Sequence, residues 1–194
     1  MDYYESKSRD EENKVKKRQK SSEDAYDLIQ SVVVALVFCV LVFSFLFRIV
    51  EVRGSSMRPT LDMNDKVIMS KLFLKPKQGD IVVFKKDSFK DEPLVKRIIA
   101  TEGQIIDINF REGKVIVNGE ELKEPYIMEP TTGEAYDFNG PITVPENCVF
   151  VMGDNRLHST DSRYSKIGFV DERYIMGKVY FTVFPVKHFG SPYF

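Results

Sequence analysis

The residues best suited to chemistry in this sequence lie in one turn-like stretch, Arg53-Gly54-Ser55-Ser56-Met57-Arg58-Pro59-Thr60-Leu61. Two serines follow a glycine, which can adopt positive φ, and Pro59 fixes the backbone three residues after Ser56. A hydroxyl held on such a stiff turn suits a nucleophile. The same composition is also typical of a plain connection between a membrane segment and a folded domain, so this stretch alone leaves both interpretations open.

A base for such a serine is offered by Lys96, in the run Leu94-Val95-Lys96-Arg97-Ile98-Ile99. The period of two in a strand places Lys96 on the same face as the apolar Leu94 and Ile98. A lysine on an apolar face either protects a strand edge or is a desolvated amine. Desolvation lowers the pKa of a lysine from its usual value of about 10.4, and the neutral amine can remove a proton from a serine.

A third polar stretch, residues 153–164, places two carboxylates, two guanidiniums and four hydroxyls directly after an apolar run. It is either a loop whose side chains cap their own backbone or a buried network in which Asp–Arg pairs orient catalytic groups. It also contains His158, and His188 is the second of the two histidines. A Ser-His-Asp triad therefore competes with a Ser56–Lys96 pair, and spacing does not decide between them.

The elements that must position these groups begin with a charged tail, residues 1–27, and an apolar stretch, residues 28–50. The tail is poor in aliphatic side chains, which predicts disorder. At about 1.5 Å per helical residue, the apolar stretch is long enough to cross the hydrocarbon layer of about 30 Å.

A cleaved secretory signal is the competing interpretation of this start. The long leading tail and the charges at Arg48, Glu51 and Arg53 favour an uncleaved transmembrane anchor. The basic cluster between Lys14 and Lys20 favours a cytoplasmic N-terminus, which predicts a single-pass protein of the cell membrane with residues 51–194 as an extracytoplasmic domain.

Residues from 49 onward change to short runs rich in Val, Ile, Phe and Tyr, separated by turn signals such as Asn118-Gly119. A short helix is predicted over Asp171–Ile175, with Asp171 as its N-cap. The fold class that follows is mainly β, a strongly coiled antiparallel sheet or barrel preceded by one transmembrane helix. The predicted strands are Ile49–Arg53, Lys66–Ser70, Asp80–Lys85, Leu94–Thr101, Gln104–Phe110, Lys114–Val117, Cys148–Met152 and Gly177–Phe184.

Composition excludes several classes of function. The 28 basic and 29 acidic side chains give a net charge of −1, so no strongly basic face is available for nucleic acid. The two cysteines, Cys39 and Cys148, lie in the apolar stretch and far along the polar part, so no disulfide framework is expected. The chain has no motif for a metal or another cofactor.

Four stretches together resemble the bacterial type I signal peptidases, membrane-anchored serine proteases that release exported proteins from their signal peptides. Order, spacing, the single leading anchor and total length are similar to the short members from Gram-positive bacteria, and the resemblance covers residues 28–190. The matching stretches are Gly54-Ser55-Ser56-Met57-Arg58-Pro59-Thr60-Leu61, Gly79-Asp80-Ile81-Val82-Val83-Phe84, Lys96-Arg97-Ile98-Ile99 and Gly153-Asp154-Asn155-Arg156 continuing through Ser159, Asp161, Ser162 and Arg163.

The resemblance implies that Ser56 is the nucleophile, that Lys96 is the general base and that the Ser56 backbone N–H holds the oxyanion. Some family members add a hydroxyl two residues before the nucleophile, where this chain has Gly54. The resemblance also implies that Ser159 orients the lysine amine.

Further supporting roles follow from the resemblance for residues around Ser159. Asp161 and Arg163 are expected to form an ion pair, and Asp154 with Arg156 to brace the same loop. The family's lysine motif usually continues as Gly-Leu-Pro-Gly-Asp, whereas this chain has residues 100–104 as Ala-Thr-Glu-Gly-Gln. That difference puts the shape of the neighbouring turn in doubt.

The resemblance further implies small side chains at positions −3 and −1 of the substrate, and we expect Met57, Val83 and Ile98 to line the two pockets. The expected partners are signal peptides of exported preproteins, membrane lipid and the secretion translocon. Self-cleaving repressor proteases share a Ser-Lys pair but carry a DNA-binding region instead of an anchor. A specialised pilin-processing or non-catalytic pilus assembly factor on the same scaffold stays as an alternative.

Overall fold

The structure, a computed structural model, describes residues 2–72, 75–86, 89–133 and 135–193. The chain forms two compact units that divide between Phe45 and Leu46. The first consists of helix α1, which runs from Asp2 to Leu46 and so ends one residue past the division. Its part from Asp24 to Leu46 is long and apolar enough to cross a membrane by length and composition, a test that a signal sequence would also pass.

Helix α1 differs from the sequence expectations at both ends. The charged residues before Leu28, predicted to be disordered, continue the helix, because Glu, Lys, Arg and Gln are good helix formers even without an apolar face. Residues 48–50, which the predicted anchor includes, belong instead to a strand that pairs with Lys66–Met69.

The second unit is built from eleven strands within the described residues. Three of the predicted strands have the predicted bounds, and the others differ by up to four residues at an end. Three two-residue strands were not predicted, because so short a run carries no periodicity. The strands are β1 (Arg48–Glu51), β2 (Lys66–Ser70), β3 (Ile81–Lys86), β4 (Lys90–Thr101), β5 (Ile105–Asn109), β6 (Lys114–Val117), β7 (Glu120–Glu121), β8 (Ile142–Thr143), β9 (Cys148–Met152), β10 (Val170–Asp171) and β11 (Ile175–Phe184).

Two antiparallel sheets result. One has seven strands in the order β1-β2-β11-β3-β4-β9-β10, and the other has four in the order β7-β6-β5-β8. Register shifts interrupt the ladders of β11 with β2 and β3 and of β4 with β3 and β9, and such bulges increase the twist of a sheet. The mainly β antiparallel fold is confirmed, as an open coiled sheet: within the described residues no pairing joins β1 to β10 to close a barrel.

The predicted turn and short helix are also present. Asn118 and Gly119 both have positive φ, 53° and 83°, as the two central residues of a type I′ hairpin turn require. Asp171 caps a 3₁₀ helix over Glu172–Tyr174 by accepting a hydrogen bond from the Arg173 N–H.

Strand β4 lies inside the larger sheet, between β3 and β9. Lys96 is opposite Val82 of β3, and Arg97 is opposite Ile81 of β3 and Met152 of β9. A strand paired on both sides has no edge to protect, so Lys96 is not an edge lysine. The sheet therefore places Lys96 in the interior of the domain.

Apolar side chains form three buried clusters in this unit. We call the one that receives the serine stretch the turn cluster; it consists of Val52, Met57, Leu61, Val67, Met69, Ile81, Val83, Val95 and Val179. A second cluster contains Ile98 with Val82 and Phe84. The third lies around Phe150, whose ring meets those of Phe138 and Phe169 edge-on at centroid distances of 5.8 and 6.1 Å.

Truncating Phe150 should destabilise the folded domain. The Phe150→Ala variant removes a ring that is 1% exposed, and we expect a loss of about 3–5 kcal/mol in the free energy of unfolding. Phe184→Ala is the matched control, because Phe184 is exposed, and it should change stability by less than about 1 kcal/mol. Denaturant unfolding of the full chain in detergent measures both; equal losses would contradict the assignment of the core.

Candidate active site

Ser56 and Lys96 are brought together across forty residues of sequence. The Nζ of Lys96 lies 2.6 Å from the Oγ of Ser56, and the amine also donates to the Val95 carbonyl at 3.1 Å. Lys96 is 3% exposed, whereas Ser56 is half-buried and so remains accessible from one side. A neutral amine at this distance is placed to take the hydroxyl proton.

The turn that carries Ser56 is fixed from both of its ends. Gly54 has a φ of 85°, which an L side chain adopts only with strain. Met57 and Leu61 are buried in the turn cluster, and the Leu61 N–H donates to the Met57 carbonyl at 2.9 Å. Burial of Met57 therefore sets the direction of the preceding Ser56 side chain.

Asn155 clamps the same turn from the opposite loop. Its backbone N–H donates to the Ser56 carbonyl at 3.0 Å, and its side-chain amide donates to the Ser55 carbonyl at 3.1 Å. Both carbonyls are thereby turned toward residue 155. Sequence reasoning quoted Asn155 within a motif but gave it no role.

Gly153 is required by close packing between the turn and the loop. A Cβ at this position would lie 2.2 Å from the Ser159 Oγ and 2.4 Å from the Ser56 carbonyl oxygen, closer than any real contact. Ser159 and Ser56 thus sit side by side against the glycine backbone. The Ser159 hydroxyl is buried, and within the described residues no hydrogen bond joins it to the Lys96 amine, so that expected contact stays a prediction.

Asp161 and Arg163 form a fully buried ion pair. The Arg163 Nε donates to Asp161 Oδ1 at 2.8 Å and its Nη2 to Oδ2 at 2.9 Å, while the Gly153 N–H donates to Oδ2 at 3.0 Å. Burial opposes ionisation of Asp161, but the bonds and charge of Arg163 outweigh it and hold the pKa of this carboxyl below its usual value. Arg163 also donates to the carbonyls of Arg156 and Ser159, so the pair closes the loop on itself.

Asp154 is paired with Arg97 of β4. The Arg97 Nε donates to Asp154 Oδ1 at 2.8 Å and its Nη2 to Oδ2 at 2.7 Å, and Thr60 donates to the same carboxylate. The register explains this partner, because Arg97 is opposite Met152 and Asp154 lies two residues further on, on the same side. Asp154 thus joins the loop to the lysine strand and to the serine turn.

Arg156 braces the loop through a different carboxylate. It forms a bidentate pair with Glu124, donates to the Thr131 hydroxyl at 2.7 Å and donates from Nε to the Gly153 carbonyl at 3.0 Å. Glu124 and Thr131 were not predicted, because they belong to a segment without periodicity. Their only sequence signal is the presence of an arginine that must find an acceptor when it is buried.

Neither histidine reaches Ser56. The Nδ1 of His188 lies 2.9 Å from Asp65 Oδ1, and its Nε2 lies 3.8 Å from Asp62. His158 is exposed at the end of a 3₁₀ helix over Arg156–His158. The geometry therefore favours the Ser56–Lys96 pair over a Ser-His-Asp triad.

The three residues predicted to line substrate pockets are fully buried and do not lie together. Met57 and Val83 belong to the turn cluster, whereas Ile98 belongs to the cluster with Val82 and Phe84.

The turn after β4 is closed locally, with Gly103 at a φ of 75° and the Gln104 side chain accepting from the Thr101 N–H at 2.7 Å. This unusual sequence still makes a tight turn.

Replacing Arg163 should be far more costly than replacing an equivalent exposed arginine. Arg163→Met leaves the Asp161 carboxylate buried without its partner, and we expect a loss of about 3–5 kcal/mol in the free energy of unfolding. The matched control is Arg173→Met, because Arg173 also pairs with an aspartate two residues earlier but is exposed, so little change is expected. Unfolding in denaturant at pH 7 compares the two variants.

Acid should reduce the difference between wild type and Arg163→Met. The lowered pKa of Asp161 contributes stability above the unfolded-state value of about 3.9, and this stability is lost as pH falls through the folded pKa. The variant has no such contribution to lose. A difference that stays constant from pH 7 to pH 3 would contradict the role assigned to the pair.

Comparison with known proteins matches nearly the whole chain. The family described as signal peptidase, peptidase S26, matches residues 25–184. The probable signal peptidase I-2 of Synechocystis sp. is 34% identical over 185 residues, covering 90% of this chain and 81% of that protein. Signal peptidase I P of Bacillus subtilis subsp. natto is 36% identical over 181 residues, covering 88% and 95%, and signal peptidase I of Bacillus licheniformis is 34% identical over 170 residues, covering 82% and 89%. Because the matches include both the helix and the domain that carries Ser56 and Lys96, this chain belongs to the peptidase S26 family of signal peptidases.

Proposed function

We propose that this protein is a membrane-anchored serine endopeptidase that removes signal peptides from exported preproteins. The observation that carries the proposal is the 2.6 Å contact between the Ser56 hydroxyl and the buried Lys96 amine, in a chain of the signal peptidase family. Relatives over most of its length are named signal peptidase I. A serine with a lysine base is sufficient for acyl transfer.

Acylation begins with the neutral amine of Lys96. It takes the Ser56 proton while Oγ attacks the carbonyl carbon of the scissile peptide bond, forming a tetrahedral intermediate. The Lys96 ammonium then returns the proton to the departing nitrogen, so the C–N bond breaks and the mature protein leaves with a free amino group. The signal peptide remains as an ester on Ser56.

Deacylation repeats the same proton path with water. Lys96 takes a proton from a water molecule, whose oxygen attacks the ester carbonyl, and then returns the proton to Ser56 Oγ as the ester breaks. The products are a peptide carboxylate and the regenerated hydroxyl. No protein group other than Ser56 and Lys96 forms or breaks a bond over the cycle.

The Ser56 backbone N–H is the proposed oxyanion donor. Within the described residues it makes no hydrogen bond to a backbone or side-chain acceptor, so it can point at the developing charge. One such donor contributes about 2.7–4 kcal/mol to an acyl-transfer transition state. Gly54 faces open space and supplies no hydroxyl, which leaves room for a water molecule as the second donor.

The surrounding polar residues act on the orientation of this pair. Ser159 is proposed to hydrogen-bond the Lys96 amine, and the Asp161–Arg163 pair to hold the Ser159 backbone in place. Asp154 is proposed to hold the loop against β4 through Arg97. None of these groups is given a covalent role.

Substrate recognition is proposed to involve apolar surface near Ser56, supported by Met57 and Val83 of the turn cluster and by Ile98 of the second cluster. Small side chains at positions −3 and −1 of a signal peptide would fit against shallow apolar surface. The protein is further proposed to have a cytoplasmic charged tail (residues 1–27), an anchor (28–50, helical as far as Leu46) and an extracytoplasmic catalytic domain (51–194). It is also proposed to contact membrane lipid and the secretion translocon.

Removing either partner of the pair should abolish cleavage. For Ser56→Ala and Lys96→Ala we expect kcat/KM on a preprotein with Ala-x-Ala at its cleavage site to fall at least about a thousandfold, because each residue is useless without the other. The controls are Ser55→Ala, whose exposed side chain is not required, and His158→Ala; both should stay within a few fold of wild type. Cleavage is followed with the detergent-solubilised full chain.

The outcomes separate the competing functions. Undiminished cleavage by Ser56→Ala or Lys96→Ala would disprove the pair, and loss of cleavage in His158→Ala would restore a histidine mechanism. Failure on ordinary preproteins with success on a pilin precursor would favour the specialised role. An assembly factor that lacks catalysis would cleave neither substrate.

The Gly153→Ala variant should lose most of its cleavage activity, and the substitution should affect activity more than it affects the stability of the fold. The added methyl group meets the Ser159 Oγ and the Ser56 carbonyl, so the serine turn must move, and we expect kcat to fall about a hundredfold. Gly133→Ala is the control, because its methyl group would meet only the end of the flexible Leu157 side chain. Equal activity of the two variants would show that the close approach at Gly153 is not needed for catalysis.

A further inference from the structure

Tyr193, in the segment after β11, fills a break in the larger sheet. Strands β3 and β11 pair directly as far as Val82 and Lys178, after which β11 continues with β2 alone. At the next position the Tyr193 hydroxyl accepts from the Ile81 N–H at 3.0 Å and donates to the Val179 carbonyl at 2.7 Å. One hydroxyl therefore replaces the backbone hydrogen bond at the point where the two strands separate.

The ring of Tyr193 lies close both to the turn cluster and to Arg97. On one side it packs against the turn cluster, which buries Met57 next to the nucleophile. On the other side its centroid lies 6.0 Å from the Cζ of Arg97, whose guanidinium is also covered by the Tyr126 ring at 4.0 Å. The same arginine holds Asp154 of the catalytic loop.

The backbone bridged by Tyr193 is also fixed to β4. Arg97 donates to the Gly79 carbonyl at 2.9 Å, and the Ile98 N–H donates to the Asp80 carbonyl at 2.8 Å. From the β11 side, the Lys178 ammonium lies 2.6 Å from the Asp80 carboxylate. The entry to β3 is thus held by β4 on one side and by Lys178 and Tyr193 on the other.

We infer that Tyr193 is a positioning residue of the peptidase site, one that fixes the entry to β3 between Arg97 and the turn cluster. It acts through these two neighbours, and the two hydrogen bonds of its hydroxyl go to Ile81 and Val179. The inference rests on the proposed function, since cleavage is one of its readouts. The hydroxyl carries the effect on the backbone, and the ring carries the contact with Arg97.

The test compares Tyr193→Phe and Tyr193→Ala with Tyr180→Phe, an exposed tyrosine of β11. Tyr193→Phe leaves the Ile81 N–H and the Val179 carbonyl without their bridge, and we expect kcat to fall about tenfold with KM within twofold of wild type. The kcat of Tyr193→Ala should fall further, and the kcat of Tyr180→Phe should match that of the wild type. Rates are normalised to the folded fraction, so a simple loss of stability does not imitate the effect.

Amide hydrogen exchange supplies a readout that needs no substrate. In Tyr193→Phe we expect faster exchange at Ile81 and also at Asn155, whose N–H bonds the Ser56 carbonyl. In the double variant Tyr193→Phe/Asp154→Asn the two losses of activity should be less than additive. Tyr193→Phe loosens the entry to β3, which Arg97 holds at the Gly79 carbonyl, and Asp154→Asn weakens the carboxylate contact of the same arginine.

Each contrary result has a distinct meaning. Unchanged kcat, unchanged exchange at Asn155, or additive losses in the double variant would overturn the inference and leave Tyr193 as a local structural bridge. A wild type that cleaves no preprotein, or a Ser56→Ala variant that still cleaves, would instead overturn the proposed function. In that case the exchange at Asn155 still decides whether Tyr193 positions the serine turn.

Discussion

A lysine amine held inside a β-sheet against a serine hydroxyl is the constraint on which the rest of this structure depends. A charged amine is costly to bury, so the interior favours the neutral form that can accept a proton, provided that the amine cannot swing out to water. Lys96 meets that condition because its side chain is buried and its amine is held by the Ser56 hydroxyl and the Val95 carbonyl. The serine must then be brought to the lysine, and the turn cluster does so through Met57 and Leu61.

The loop that completes the site is held mainly by charge. Three arginine–carboxylate pairs, Arg97–Asp154, Arg156–Glu124 and Arg163–Asp161, join it to β4, to the segment around residue 124 and to itself. Buried pairs of this kind gain little net stability over apolar packing, because desolvation offsets their attraction. Their bidentate geometry instead fixes position, and position is what a site with a single base requires.

Much of this arrangement could be predicted from the sequence. Alternation and turn residues predicted eight of the strands, and the resemblance of four stretches to the signal peptidases implied the roles of Ser56 and Lys96. The partners of Arg97 and Arg156 could not be predicted, because a local pattern suggests local pairs, whereas the observed carboxylates are set by the register of β4 with β9 and by an irregular segment. The open edge of the sheet was equally out of reach, since closure depends on pairings between distant strands.

The pairing of each carboxylate with an arginine also changes the electric field around the loop. Six full charges lie in and around the loop, yet each has its opposite within hydrogen-bonding distance, so from outside they resemble short dipoles rather than ions. The field of a dipole falls more steeply with distance than that of a single charge. A lone carboxylate in this loop would favour the ammonium form of Lys96, which cannot accept the Ser56 proton. Pairing each acid with an arginine therefore gives the protein a rigid polar scaffold whose electric field has little effect on Lys96.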